Sequence, residues 1–154
     1  MLSQRARYAL RALVGLARNA GGQLSAGELS TRAASPRKFL EAIMLELSHN
    51  QIVVSRRGKY GGYTLSRPAT EITFAQVIRI MVGPLALAPC VSPALGFQKC
   101  ADCPDFGTCC LREALQRARD ATADVLEAYT LAQAAGVELA EIATDDKPVQ
   151  LAAI

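Results

Sequence analysis

Two helix-start signals ten residues apart constrain this chain more than any other feature. Ser25 stands three residues before Glu28, the capping-box spacing that opens a helix running to about Ala33. Ser35-Pro36 is the second signal, with serine as N-cap and proline at the first position of a helix running to about His49. The interval between the two helices allows only a tight turn. The second helix carries Phe39, Leu40, Ile43, Met44 and Leu47 on one apolar face. A longer helix precedes both: Ala6, Ala9, Leu10, Leu13, Val14, Leu16 and Ala17 recur at helical spacing, and Gly21-Gly22 ends it.

Next comes Ile52-Val53-Val54-Ser55, a β-branched strand candidate. Arg56-Arg57-Gly58-Lys59-Tyr60-Gly61-Gly62 forms a turn rich in glycine and cations, and Tyr63-Thr64-Leu65 returns as a second strand. Three helices followed by a cation-tipped hairpin predict a winged helix-turn-helix. The fold class is therefore mainly α with a small β wing. Pro68 interrupts the chain, and Thr73 caps a further helix holding Phe74, Val77, Ile78, Ile80 and Met81 up to Gly83. Residues 1–83 are expected to form one DNA-binding domain.

In such a motif the second short helix enters the major groove with its N-terminal residues over base edges. Those residues are Ser35, Pro36, Arg37, Lys38 and Glu41. Arg37 can donate to guanine or phosphate, and Glu41 can accept from a cytosine amino group or simply lie in solvent. In the wing, Arg56, Arg57, Lys59 and Tyr60 suit phosphate or minor-groove contact. The charge distribution agrees: residues 1–79 hold twelve Lys/Arg against four Asp/Glu, and residues 80–154 hold five against ten. A basic half beside an acidic half predicts that only the first meets a polyanion such as an operator duplex. No acid/base pair or phosphate loop suggests an enzyme. No apolar run reaches the roughly 18 residues of a membrane span, and no signal-peptide core opens the chain, so a cytoplasmic location is expected.

Residues 84–110 form a loop too long to be a simple connector, and it holds all five cysteines: Cys90, Cys100, Cys103, Cys109 and Cys110. In a cytoplasmic chain such a cluster points to metal binding or redox chemistry rather than to a disulfide scaffold. Cys100 and Cys103 have the spacing of a chelating pair, Cys90 is the natural fourth ligand, and either Cys109 or Cys110 supplies the remaining one. Four thiolates suit an iron–sulfur cluster (2Fe–2S or 4Fe–4S) or a structural zinc. His49, at the end of the recognition helix, reads as a surface residue rather than a ligand.

From Leu111 to about Ala135, Leu111, Leu115, Ala118, Thr122, Val125, Tyr129 and Ala132 recur in four-three alternation. This predicts one long helix, residues 111–135, that packs on its own domain or pairs two copies as a homodimer. Residues 136–154 read as a loose tail.

Taken together, the motifs resemble the family of winged-helix regulators that includes IscR, NsrR and RirA. The resemblance rests on Arg7-Tyr8-Ala9-Leu10-Arg11-Ala12-Leu13, on Ser35-Pro36 with Phe39-Leu40-Glu41, and on Arg57-Gly58 with Gly61-Gly62-Tyr63. Glu71-Ile72-Thr73, Gly83-Pro84 and Cys110-Leu111-Arg112 extend it to about residue 135. It implies a dimer formed through the long helix and an iron–sulfur cluster that controls DNA binding. The family's three-cysteine pattern falls on Cys90 or Cys100, then Cys103, then Cys110. Glu113 stands where IscR has a histidine ligand, and Arg7 where NsrR-like proteins present a carboxylate. An all-cysteine site of Cys90, Cys100, Cys103 and Cys110 is therefore expected, with Cys109 as the substitute for its neighbour. The implied function is a transcription repressor sensing iron, redox or nitric oxide status. The competing reading is a zinc-stabilised or metal-free regulator sensing thiol oxidation or a small molecule. A third is an adaptor using the winged helix for protein contact.

Overall fold

A computed structural model describes residues 2–20, 22–58, 60–103 and 105–136. Helix α1 (Gln4–Ala17) starts at Ser3, whose side chain accepts from the Ala6 amide, and it buries Ala6, Ala9, Leu10, Leu13 and Leu16. Alanine at four buried positions, Ala6, Ala9, Ala12 and Ala17, lets neighbouring helices approach closely. Helix α2 (Ala26–Ala33) has the predicted capping box: Ser25 Oγ accepts from the Glu28 amide, and the Glu28 carboxylate accepts from the Ser25 amide. Ala34 ends it in the left-handed region at φ 52°, and α3 (Arg37–His49) follows at once.

The start of α3 differs from expectation by one residue. Pro36, not Ser35, is the N-cap, and Ser35 is only 6% exposed. Ser30 Oγ donates to the Ser35 carbonyl at 2.6 Å, and the Ser35 hydroxyl turns to the Pro36 carbonyl. Ser35 is thus consumed in holding the turn rather than presented outward. Phe39 also departs from the expected core: it is 40% exposed and meets the Tyr8 ring edge-on, with centroids 5.9 Å apart. Leu40, Ile43, Met44 and Leu47 are fully buried, and these four carry the apolar face of α3.

Strands β1 (Val53–Arg56) and β2 (Gly62–Leu65) pair antiparallel, with Val53 opposite Leu65 and Arg56 opposite Gly62. Leu24, just before α2, bridges to Tyr63 through both backbone bonds and so adds a one-residue third rung to the hairpin. Helix α4 (Phe74–Val82) begins with a second capping box, Thr73 with Gln76, and packs against α1.

The predicted long helix divides in two. Helix α5 (Arg112–Ala128) stops at Tyr129, and α6 (Leu131–Ala135) begins from Thr130. A Thr130–Gln133 capping box starts α6, and the extended backbone between the helices pairs with the lead-in to α4. The Phe74 amide donates to the Tyr129 carbonyl and the Leu131 amide to the Ile72 carbonyl, both at 2.9 Å. Leu131 and Ala132 are buried in the main core, so Ala132 belongs to the chain's own interior rather than to a helical seam. Of the expected tail, residues 137–154 lie outside the described residues. No helix among the described residues is long and apolar enough to cross a membrane.

Candidate nucleic-acid interface and cysteine site

One face of the molecule combines the start of α3 with the hairpin. Pro36, Arg37 and Lys38 are exposed there, as are Arg56, Arg57 and Tyr60 on the hairpin and its tip. Lys59 lies outside the described residues. Arg37 Nε donates to Glu41 Oε1 at 2.9 Å, so the two candidate base-reading groups hold each other in the free chain. Glu41 also acts on the hairpin: together with burial, the larger cause, its charge pushes the Tyr63 hydroxyl up from the ordinary tyrosine range. An open groove of about 490 Å³ runs between α3 and the wing, lined by Arg37, Leu45, Arg56, Arg57 and Tyr63. Leu45 was not among the sequence candidates. It is 57% exposed on this groove, an apolar group suited to a thymine methyl.

Backbone geometry shapes the wing tip. Gly58 has φ 113°, a left-handed conformation that glycine adopts without strain. A Cβ on Gly61 would stand 2.6 Å from the Arg56 carbonyl oxygen, so only glycine lets the tip fold back so closely. The result is a compact turn carrying Arg56 and Arg57 at its edge.

The loop between α4 and α5 folds through two short 3-10 turns, Pro89–Val91 and Pro93–Leu95. They bury Cys90, which is 4% exposed, together with Val91 and Ser92. The Cys103 amide donates to the Cys100 carbonyl at 3.2 Å, closing the Cys-x-x-Cys turn, and Cys103 Sγ donates to the Asp105 carbonyl. Asp105 anchors the following turn, accepting from the Thr108 amide and hydroxyl; these bonds hold its carboxyl below the usual range. A cavity of about 270 Å³ is lined by Cys90, Cys100, Cys103, Cys109 and Cys110 beside Leu115 of α5.

The thiols act on one another. Cys90 is pushed up first by burial and then by the Cys100 thiol, with Cys109 adding to it. Cys103 is pushed up by burial and then by Cys109 and Cys100. Cys110 enters neither set and is exposed. Cys109 is half-buried beside Cys90, Cys100 and Cys103, and Cys110, though exposed, lines the same cavity, so either of the two neighbours stands within the lining of the expected set. Among the described residues, no three His, Cys, Asp or Glu side chains already stand as a finished metal site. The donor chemistry nevertheless fits a thiophilic centre: five cysteines line one cavity, and the mutual destabilisation of their thiolates is what a bound cation relieves.

Residues 2–136 match the family model described as Rrf2, iron-dependent transcriptional regulator. The chain belongs to this family. An HTH-type transcriptional regulator of Mycobacterium tuberculosis is 39% identical over 142 residues, covering 91% of this chain and 84% of the relative. The HTH-type transcriptional regulator NsrR of Oceanobacillus iheyensis is 30% identical, covering 80% and 82%. Among solved structures, CymR, the global cysteine regulator of B. subtilis, superposes with a TM-score of 0.71 at 28% identity, covering 89% of this chain and 97% of that one. The protein is thus an Rrf2-family transcriptional regulator with the winged-helix architecture expected of its sequence, and its relatives are named as regulators, not enzymes. In this chain the cysteine loop runs between α4 and α5.

Proposed function

We propose that this Rrf2 protein is a homodimeric repressor whose operator affinity is set by an iron–sulfur cluster on Cys90, Cys100, Cys103 and Cys109. The observation that carries the reading is the convergence of all five cysteines, these four among them, on one cavity beside the start of α5. When bound, the cluster supplies a crosslink among the loop turns and the start of α5 that is sensitive to oxidants. The protein's own residues do the rest. Arg119 of α5 donates to the Val91 carbonyl at 2.8 Å, tying the helix to the turn that buries Cys90. Reshaping the loop therefore alters the set of α5 against the recognition domain. In a dimer pairing through α5, that changes the spacing of two recognition helices, which must match half-sites about one DNA turn apart. DNA binding places this activity in the cytoplasm.

Purification without oxygen, followed by visible absorption and iron and sulfide assay, tests the proposal. A coloured protein with stoichiometric iron and sulfide is expected, and Cys103→Ser should lower both before it affects folding. A colourless, iron-free protein would overturn it. A second reading has its own support: Cys90, Cys100, Cys103 and Cys109 are free thiols lining one cavity, close enough to raise one another's pKa and so placed for disulfide exchange, and the CymR likeness is to a cysteine regulator. Raised thiol pKa values oppose it, since the thiolate is the reactive form. Stoichiometric zinc that survives air, or DNA binding that follows thiol oxidation without iron, would favour this alternative.

A further inference from the structure

A second cavity plays no part in that reading. It lies between α4, the start of the cysteine loop and the outer flank of α5, with a volume of about 480 Å³. That size is in the range that encloses small organic ligands. Pro84, Leu85, Pro93 and Ala123 give it apolar walls. Two ion pairs stand at it, Arg79 with Glu127 and Arg119 with Asp120. Arg119 is already committed through its bond to Val91, whereas the Arg79–Glu127 pair is about half exposed and exchangeable. Ser92 singles the cavity out. It lines the space and is fully buried, and among the described residues its hydroxyl has no hydrogen-bond partner. A buried hydroxyl left unpaired is unfavourable and calls for an explanation.

We propose that this cavity binds a short organic acid carrying a second polar atom, such as an amino acid or a 2-oxo acid. The ligand carboxylate takes the Arg79 guanidinium, whose planar fork suits it, and displaces Glu127 from an exposed pair that contributes little. Ser92 Oγ, which is shut off from solvent in the free chain, gains its partner as the Pro93–Leu95 turn yields to the second polar atom, and the apolar body lies along Leu85 and Ala123. Helical spacing puts Ala118, Thr122 and Val125 on the opposite flank of α5 from Ala123 and Glu127, so a paired α5 leaves the cavity open. Ser92 is two residues from Cys90 in the adjoining turn, which places the ligand against the segment that positions the thiols.

The test is an NMR titration of the full chain with the proteinogenic amino acids and their 2-oxo acid counterparts. At least one of them is expected to give saturable shifts at Leu85, Ala94 and Ala123. Ser92→Ala should weaken that ligand about tenfold, the loss of roughly one hydrogen bond, without lowering thermal stability. Ala123→Trp, which fills the space from a half-buried position, should abolish the shifts. The proposal is overturned if no compound saturates at these resonances, or if binding persists in Ala123→Trp or is unchanged in Ser92→Ala.

Discussion

Arg37 and Arg57 are both exposed arginines on one face, yet their surroundings assign them different work. Arg37 is held by Glu41 within one turn of α3, a geometry that base contact has to reopen. Arg57 sits at the wing turn, where phosphate contact depends on charge and reach. Arg57→Ala should therefore weaken binding to all sequences alike and flatten the salt dependence by about one unit in log–log slope. Fluorescence anisotropy across a salt series reads both, and an unaltered slope would remove the wing from the interface. The thiols give a second residue-scale expectation. Cys90 and Cys103 keep their protons to higher pH in the folded chain than in the unfolded one. The unfolded state then releases protons first, so this contribution is fully present below the ordinary thiol value of about 8.5 and is lost as pH climbs through the raised one. Urea unfolding of the reduced, metal-free protein should show stability falling on the alkaline side, and Cys90→Ala should reduce that fall. Residue identity was the least legible level. Nothing in the sequence told Cys109 from Cys110, because spacing alone does not rank adjacent residues, and both line the cavity. Ser35 was misplaced for a related reason: Ser-Pro announces a helix start but not whether the serine caps it or is consumed in the turn.

At the level of elements, capping chemistry was the strongest signal and also exposed the main error. Ser25 with Glu28 and Thr73 with Gln76 opened helices where the sequence placed them. Thr130 with Gln133 is the same signature, and the apolar periodicity concealed it: Tyr129 and Ala132 continue the four-three pattern across a break. Continuity of an apolar stripe does not establish continuity of the backbone. The break is structural, because it lets Leu131 enter the core against α1 while the Tyr129 and Leu131 backbone joins the start of α4. Leu131→Ala should therefore cost about 2–5 kcal/mol, as for other fully buried leucines. A surface-level cost below about 0.5 kcal/mol in denaturant unfolding would show that α6 is not docked. The wing offers a matching case. A Cβ on Gly62 would lie 2.5 Å from the Leu24 carbonyl oxygen, so Gly62→Ala should detach the Leu24 rung and loosen the hairpin. Faster amide exchange at Leu24 and Tyr63 is the expected readout.

At the scale of the whole molecule, the charge excess of the first half can be placed on its elements. The exposed cations Arg37, Lys38, Arg56 and Arg57 lie on α3 and the wing, with others on α1 and α2, and α5 follows the cysteine loop with its charges nearly balanced. Helix α5 carries two stripes. Leu115, Arg119, Ala123 and Leu126 turn partly inward, whereas Leu111, Ala118, Thr122 and Val125 are exposed within a single chain. Val125 is 66% exposed and Leu111 63%, large apolar surfaces with no cover from their own fold. Pairing of α5 with its copy is the proposed use. Val125→Glu should disrupt it, since like charges would then face each other across the seam without an internal contact being lost. Sedimentation should report a monomer with an unchanged circular dichroism spectrum. Operator affinity should fall at least tenfold, because one recognition helix then reads one half-site alone. Weak, salt-sensitive binding to any duplex should survive, because the basic face belongs to a single chain. A variant that stays dimeric and binds its operator as before would move the pairing surface elsewhere, and would separate the cysteine loop from the control of half-site spacing.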